Sequence, residues 1–169
     1  EKKLITYPRT DSRYLTEDMA RTVLEIIACS LKLPPFDGIA DFHADTFYLF
    51  NNEKVSDHHA IIPTMELNNA DLSAIPDSEM NILKLIICRL LASSAPPYVY
   101  ETVTAEVVCG GHTFTAKGKQ VLSYGFKAIE KLLVPSSENE DGGEPVLSFY
   151  QGQTFAEVKP ELREKYTEP

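Results

Sequence analysis

The sequence predicts an α+β fold: a helical first half followed by an antiparallel β piece. Three observations carry this reading. Apolar residues recur at helical spacing in two stretches, near residues 17–31 and 79–94. Each stretch is stopped by a proline pair, Pro34-Pro35 and Pro96-Pro97. After Pro97 the period switches to alternation, rich in β-branched residues, with a turn signal at Gly110-Gly111. The expected division is therefore a helical unit over residues 1–96, a β segment over 97–158, and the start of a further unit or linker over 159–169.

The chain opens on an extended run, Leu4-Ile5-Thr6-Tyr7-Pro8-Arg9-Thr10-Asp11-Ser12. Pro8 has a fixed φ and biases Tyr7 toward extended backbone. Tyr7 and Arg9, two residues apart, are then expected on the same side. Thr16 suits a helix N-cap, and Glu17 and Asp18 complement the dipole of a first turn. Met19, Ala20, Val23, Leu24, Ile27 and Leu31 supply the apolar face of that helix. Residues 36–50 read as loop with short irregular elements, and Asn51-Asn52 as a turn. Asp77 or Ser78 caps a second helix, with a stripe of Ile82, Leu83, Ile86, Ile87, Leu90 and Leu91. The two helices are expected to pack together as the core of the first half.

In the β piece, Thr102, Thr104 and Glu106 alternate with Val103, Ala105 and Val107. A return strand follows over residues 112–117, ended by Gly118. Tyr124-Gly125-Phe126 reads as a bend into a short helix, and residues 145–158 as strands around a turn at Gly152.

Composition bounds the function classes. The 169 residues are 43% hydrophobic and 24% charged, ordinary for a globular chain. No apolar run reaches membrane-spanning length, so no membrane partner is expected. Three scattered cysteines, Cys29, Cys88 and Cys109, read as buried thiols in a reducing, cytoplasmic setting. The formal net charge of −9 argues against a purely electrostatic nucleic-acid binder. Much of the acid is concentrated in residues 136–144, however, leaving a milder balance around Tyr7. The chain starts without a Met and stops without a closing signal, and the expectation is a piece of a longer protein.

Two stretches carry chemistry. A phenol can act as a nucleophile, and a guanidinium fork fits the non-bridging oxygens of a phosphate, so Tyr7 and Arg9 together suit attack on a phosphodiester. The second stretch is His58-His59-Ala60-Ile61-Ile62-Pro63-Thr64, preceded by Asp57. Taken in this order and at this separation, the two stretches resemble the type IA DNA topoisomerases, the topoisomerase III branch most closely. The resemblance covers nearly the whole chain. It implies a catalytic-tyrosine domain followed by part of the arch that forms the family's gate.

By that resemblance Tyr7 is the nucleophile, Arg9 contacts the scissile phosphate, and His58 is the leading histidine of the second motif. His59 stands where other branches have a different residue and receives no catalytic role. The resemblance implies cleavage and resealing of single-stranded DNA through a 5′-phosphotyrosine, without ATP. It also implies Mg2+ in the full-length enzyme, with ligands in a toprim domain outside this chain, and a helicase as partner. No cofactor is expected within the chain itself, and the sequence carries no signal for its oligomeric state.

Two other classes compete. Asp57-His58-His59 spells the core of a metal-dependent phosphoesterase motif, which needs further carboxylates at strand ends. A catalytically silent single-stranded DNA-binding or interaction module is the other. The ordinary roles are a packed Tyr7, an Arg9 paired with Asp11 and a core His58. Tyr14, His43 and His112 are expected to be packing or surface residues. Phe42, Phe47, Tyr48 and Phe50 are expected to pack in the core rather than stack on bases.

Overall fold

The computed structural model of the chain describes residues 2–133 and 150–157, together with 159, 161, 162 and 164. Helices lead and an antiparallel hairpin follows, the α+β class read from the sequence. Helix α1 spans Ala20–Ser30 and α2 Asp77–Ser93. Strands β1 (Val99–Cys109) and β2 (His112–Ser123) form the hairpin, and a short α3 covers Phe126–Glu130. Single 3-10 turns punctuate the stretch between α1 and α2.

The first helical stretch enters through a 3-10 turn, Glu17–Met19. Thr16 occupies the N-cap position, but its hydroxyl makes no capping bond. The free N–H of Glu17 donates instead to Asn52 Oδ1 at 2.9 Å, so the cap comes from the loop packed alongside. At α2 the N-cap position is Pro76, and Asp77 lies within the first turn with Glu79, where the helix dipole favours acid.

The buried faces differ in phase from the sequence stripes. In α1, Val23, Ile26 and Ile27 are buried while Leu24 is half exposed. In α2, Leu83, Ile87, Leu90 and Leu91 are buried while Ile82 and Leu85 face out. Phe36, Ile62, Leu67, Leu4 and Leu15 close the same core from the loops. Each such side chain contributes about 1.5–3 kcal/mol on burial. The extended residues around the motifs are therefore anchored in the core that α1 and α2 share.

Strand β2 does not stop at Gly118. It continues to Ser123, with Gly118 buried opposite Val103 and Lys119 opposite Thr102. A glycine weakens a strand, but here the pairing on both sides carries the chain through. The bend at Tyr124-Gly125-Phe126 is present. Gly125 has φ +47°, and a side chain there would meet the Pro97 carbonyl oxygen at 2.2 Å. The Phe126 N–H donates to the Pro96 carbonyl at 2.9 Å, and α3 then packs Ile129 onto α2 beside Cys88.

The turn at Gly152 is present, with Gln153 N–H donating to the Tyr150 carbonyl. Residues 150–157 form no strand, and the remainder of the stretch read as strands, 145–149 and 158, lies outside the described residues. Cys29 and Cys88 are buried, whereas Cys109, at the end of β1, is only half-buried. Among the described residues no helix is long and apolar enough to cross a membrane.

Candidate active site

The two motif stretches lie side by side. Ile5 and Pro63 form an antiparallel bridge, with Thr6 N–H donating to the Ile62 carbonyl at 2.9 Å and Thr64 N–H to the Leu4 carbonyl at 3.0 Å. Hydroxyl side chains extend the seam. Thr6 Oγ1 accepts from Ile62 N–H at 3.0 Å, and Thr64 Oγ1 donates to the Lys3 carbonyl at 2.6 Å. Thr10 Oγ1 donates to the His58 carbonyl at 2.9 Å, and Ser12 Oγ to the Lys54 carbonyl at 2.7 Å. Further along, Ala60 N–H donates to the Tyr14 carbonyl, and Leu15 bridges Phe50 in parallel.

This seam brings Tyr7 and His58 together from about fifty positions apart. Their ring centroids stand 5.0 Å apart with the planes inclined at 49°. Both line one surface depression of about 610 Å³, together with Pro8, Arg9, Thr10, Asp11, Ser56 and Asp57. Tyr7 is 60% exposed, so its phenol is open to a ligand and not packed away. Arg9 is exposed and makes no ion pair with Asp11. His58 is likewise exposed and is not a core histidine.

His59 is half-buried, with Nδ1 2.7 Å from the Ala60 carbonyl, a bond that ties the ring to its own backbone. His43 bonds in the same manner to the Asp41 carbonyl at 2.8 Å. Sequence reasoning passed over Thr6, Thr10, Ser12 and Thr64. Their signal was the hydroxyls spaced two or four apart in an extended run, which on a strand project to one side.

The aromatic cluster divides. Phe42 and Phe50 pack against the core as expected, but Phe47 and Tyr48 are 78% and 75% exposed, edge-to-face at 5.2 Å. They sit on a one-turn 3-10 helix, Phe47–Leu49, too short to bury every side.

Asp57, His58 and His59 do not gather a metal donor set. Among the described residues no group of three or more His, Cys, Asp or Glu side chains is placed to hold an ion. The phosphoesterase chemistry needs such a set. Within the depression one guanidinium faces two carboxylates, Asp11 and Asp57.

Comparison with known proteins gives the family of the chain. A family model described as DNA topoisomerase matches residues 1–169, and the chain belongs to that family, within its bacterial type IA members. The relatives are more particular. DNA topoisomerase 3 of Staphylococcus aureus (strain USA300) is 36% identical over 171 residues, 99% of this chain and 23% of that protein. DNA topoisomerase 3 of Staphylococcus saprophyticus is 43% identical over 131 residues, 75% of this chain and 18% of that protein. The chain thus spans about a quarter or less of the length of the curated relatives it matches. The family uses Mg2+.

Proposed function

We propose that this chain supplies the nucleophile of a type IA DNA topoisomerase that cleaves and reseals single-stranded DNA, changing its topology. The observation that carries the reading is the contact of Tyr7 with His58 in one open depression shared with Arg9. The Tyr7 phenol oxygen attacks phosphorus, the bond to the 3′ oxygen breaks, and the 3′-hydroxyl leaves with a proton. The product is a 5′-phosphotyrosine ester, close in energy to the phosphodiester it replaces, so resealing by the 3′-hydroxyl needs no ATP.

An ordinary phenol, with a pKa near 10, is only about one-thousandth ionised at pH 7. Attack therefore requires a group that takes the proton or stabilises charge as it forms. Arg9 suits the second task, with a planar fork matched to phosphate oxygens. In this reading His58, in ring contact with Tyr7, donates to the same phosphate or steadies the Tyr7 ring. Asp11 and Asp57 leave the depression short of positive charge, so a phosphate there needs cationic groups from elsewhere in the intact enzyme. In this reading Mg2+ is held outside this chain, and the isolated chain binds DNA without cleaving it.

Residues 1–96 then form the tyrosine-bearing unit, 97–158 the arch segment and 159–169 the approach to the next unit. The proposed setting is the cytoplasm, with a helicase partner for the intact enzyme. The test is covalent capture of end-labelled single-stranded DNA on a denaturing gel, beside a binding titration. In an intact enzyme carrying this segment, Tyr7→Phe abolishes the adduct and leaves binding nearly unchanged, because affinity comes mainly from phosphate contacts along the strand. An adduct surviving in Tyr7→Phe means that another residue is the nucleophile.

A further inference from the structure

A second surface depression, of about 660 Å³, lies further along the seam. Tyr14, Glu17, Phe47, Tyr48 and Phe50 line it. Core packing accounts for Phe50, but Phe47 and Tyr48 leave more than seven-tenths of their surface open, at 78% and 75%. Two adjoining open rings make the kind of apolar patch that marks a contact surface.

The rings stand on anchored backbone. The Asp45 N–H donates to the Ser94 carbonyl at 2.7 Å, which ties the turn to the end of α2. Asp45 Oδ1 accepts from the Phe47 N–H at 3.1 Å, and the Leu49 N–H donates to the Thr46 carbonyl at 3.0 Å. Phe47 and Tyr48 meet edge to face at 5.2 Å. Tyr14 is held from the facing strand. Its carbonyl accepts from the Ala60 N–H at 2.8 Å, and its hydroxyl from Lys54 Nζ at 3.5 Å. That ammonium also stands 4.9 Å from the Tyr14 ring centre. Aromatic faces positioned in advance bind at a lower entropic cost.

Tyr14 and Tyr7 belong to one stretch. Residues 7 to 14 reach at most about 25 Å. The seam holds this stretch at Thr10 to His58, Ser12 to Lys54 and Tyr14 to Ala60. A single strand with one phosphate at Tyr7 therefore comes to the ring depression within a few nucleotides. Glu17 lines that depression, and Asp45 adjoins Phe47. Carboxylates disfavour a phosphate there but not a neutral base. In a chain of net charge −9, stacking suits this surface better than charge does.

We infer that Tyr14, Phe47 and Tyr48 form a base-stacking subsite for single-stranded DNA next to the cleavage depression. Unpaired bases lie on the open rings, an interaction that tolerates any base. A duplex keeps its base faces stacked inside and gains nothing from it. The inference rests on the proposed action of Tyr7 on single strands and adds what holds the strand beside the break.

The test uses an intact enzyme carrying this segment, an oligothymidylate and an abasic oligonucleotide of the same length. Phe47→Ala/Tyr48→Ala is expected to weaken binding of the oligothymidylate about fivefold or more, the size of one lost base–ring stack. Its salt dependence stays that of the wild type, because no charge is removed. Phe47→Trp/Tyr48→Trp keeps the affinity. Phe47→Leu/Tyr48→Leu, apolar but without a π face, does not. On the abasic strand the wild type and the alanine variant bind alike, an outcome that a merely structural role of the rings would not give.

Equal oligothymidylate affinity in the wild type and the alanine variant overturns the subsite and leaves the rings to a protein partner. A loss as large on the abasic strand as on the oligothymidylate overturns it too, as does full restoration by leucine. Covalent capture by the wild-type enzyme is run in parallel. Absence of a Tyr7 adduct defeats the cleavage reading, while the abasic comparison still decides the ring subsite.

Discussion

At the scale of single residues, the depression holds an open phenol, an exposed guanidinium and an imidazole, and each can be separated by substitution. In the proposed mechanism, Arg9→Ala removes a charge from the phosphate where negative charge builds during transfer. Cleavage by the intact enzyme is expected to slow by about a hundredfold to a thousandfold without vanishing. Arg9→Lys keeps the charge but loses the planar fork, and single-turnover cleavage should recover only in part. Cys88 offers a pH test in the core. Burial first, then the charge of Glu130, push its thiol above the ordinary value of 9.0, against a smaller opposing pull from Arg89. A raised pKa means that the unfolded chain ionises first. The stability it contributes is whole below the unfolded thiol pKa and is lost as pH rises toward the folded value. Thermal melts between about pH 8 and 10 should fall more steeply for the native chain than for Cys88→Ala. Native Cys88 should also react with a thiol reagent more slowly than half-buried Cys109.

At the scale of elements, the join between α2 and the hairpin depends on one backbone geometry. Gly125 reverses the chain at φ +47° directly against the Pro96 and Pro97 carbonyls, which a β-carbon would meet at 2.4 and 2.2 Å. Neither oxygen belongs to a flexible side chain, so one backbone segment must move. Gly125→Ala is expected to lose at least about 2 kcal/mol in chemical denaturation, through strain and displacement of α3 from α2. The apolar stripes of α1 and α2 were legible as helices, yet Leu24 and Ile82 were assigned to faces that the packing leaves exposed. With apolar residues on most sides of α2, the period identifies a helix but not its rotation. Phe47 and Tyr48 mark the same limit, since composition does not say which aromatic of a cluster reaches the core.

At the scale of the whole molecule, the seam between residues 4–15 and 49–64 builds the site, and its hydroxyls can be tested as positioning groups. Thr10→Val removes the bond to the His58 carbonyl and the one accepted from the Ser12 N–H with little change of volume, at a cost of about 1–3 kcal/mol in stability. In an intact enzyme it should slow cleavage at saturating DNA while leaving single-strand affinity within about twofold, as two neutral hydrogen bonds are lost and no phosphate charge. Thr10→Ser should restore the rate; equal rates in all three proteins would show that the seam does not position the site.

The sequence by itself determined the order of helices and hairpin, because proline stops, a Gly-Gly turn and the change of period act on neighbouring residues. It also determined the chemistry on offer, since the side chains of Tyr7, Arg9 and His58 carry their reactivity wherever they stand. Only the tertiary structure decided that these three meet. Their meeting depends on Ile5 pairing with Pro63 and Leu15 with Phe50, contacts between segments that no local pattern couples. The tertiary structure likewise carried β2 past Gly118, because the cross-strand partners Val103 and Thr102 outweighed the weak strand preference of a glycine. It also placed Tyr14 in one depression with Phe47 and Tyr48, more than thirty positions away in the sequence. Local preference acts between near neighbours, whereas the site is made by pairing across more than thirty intervening residues.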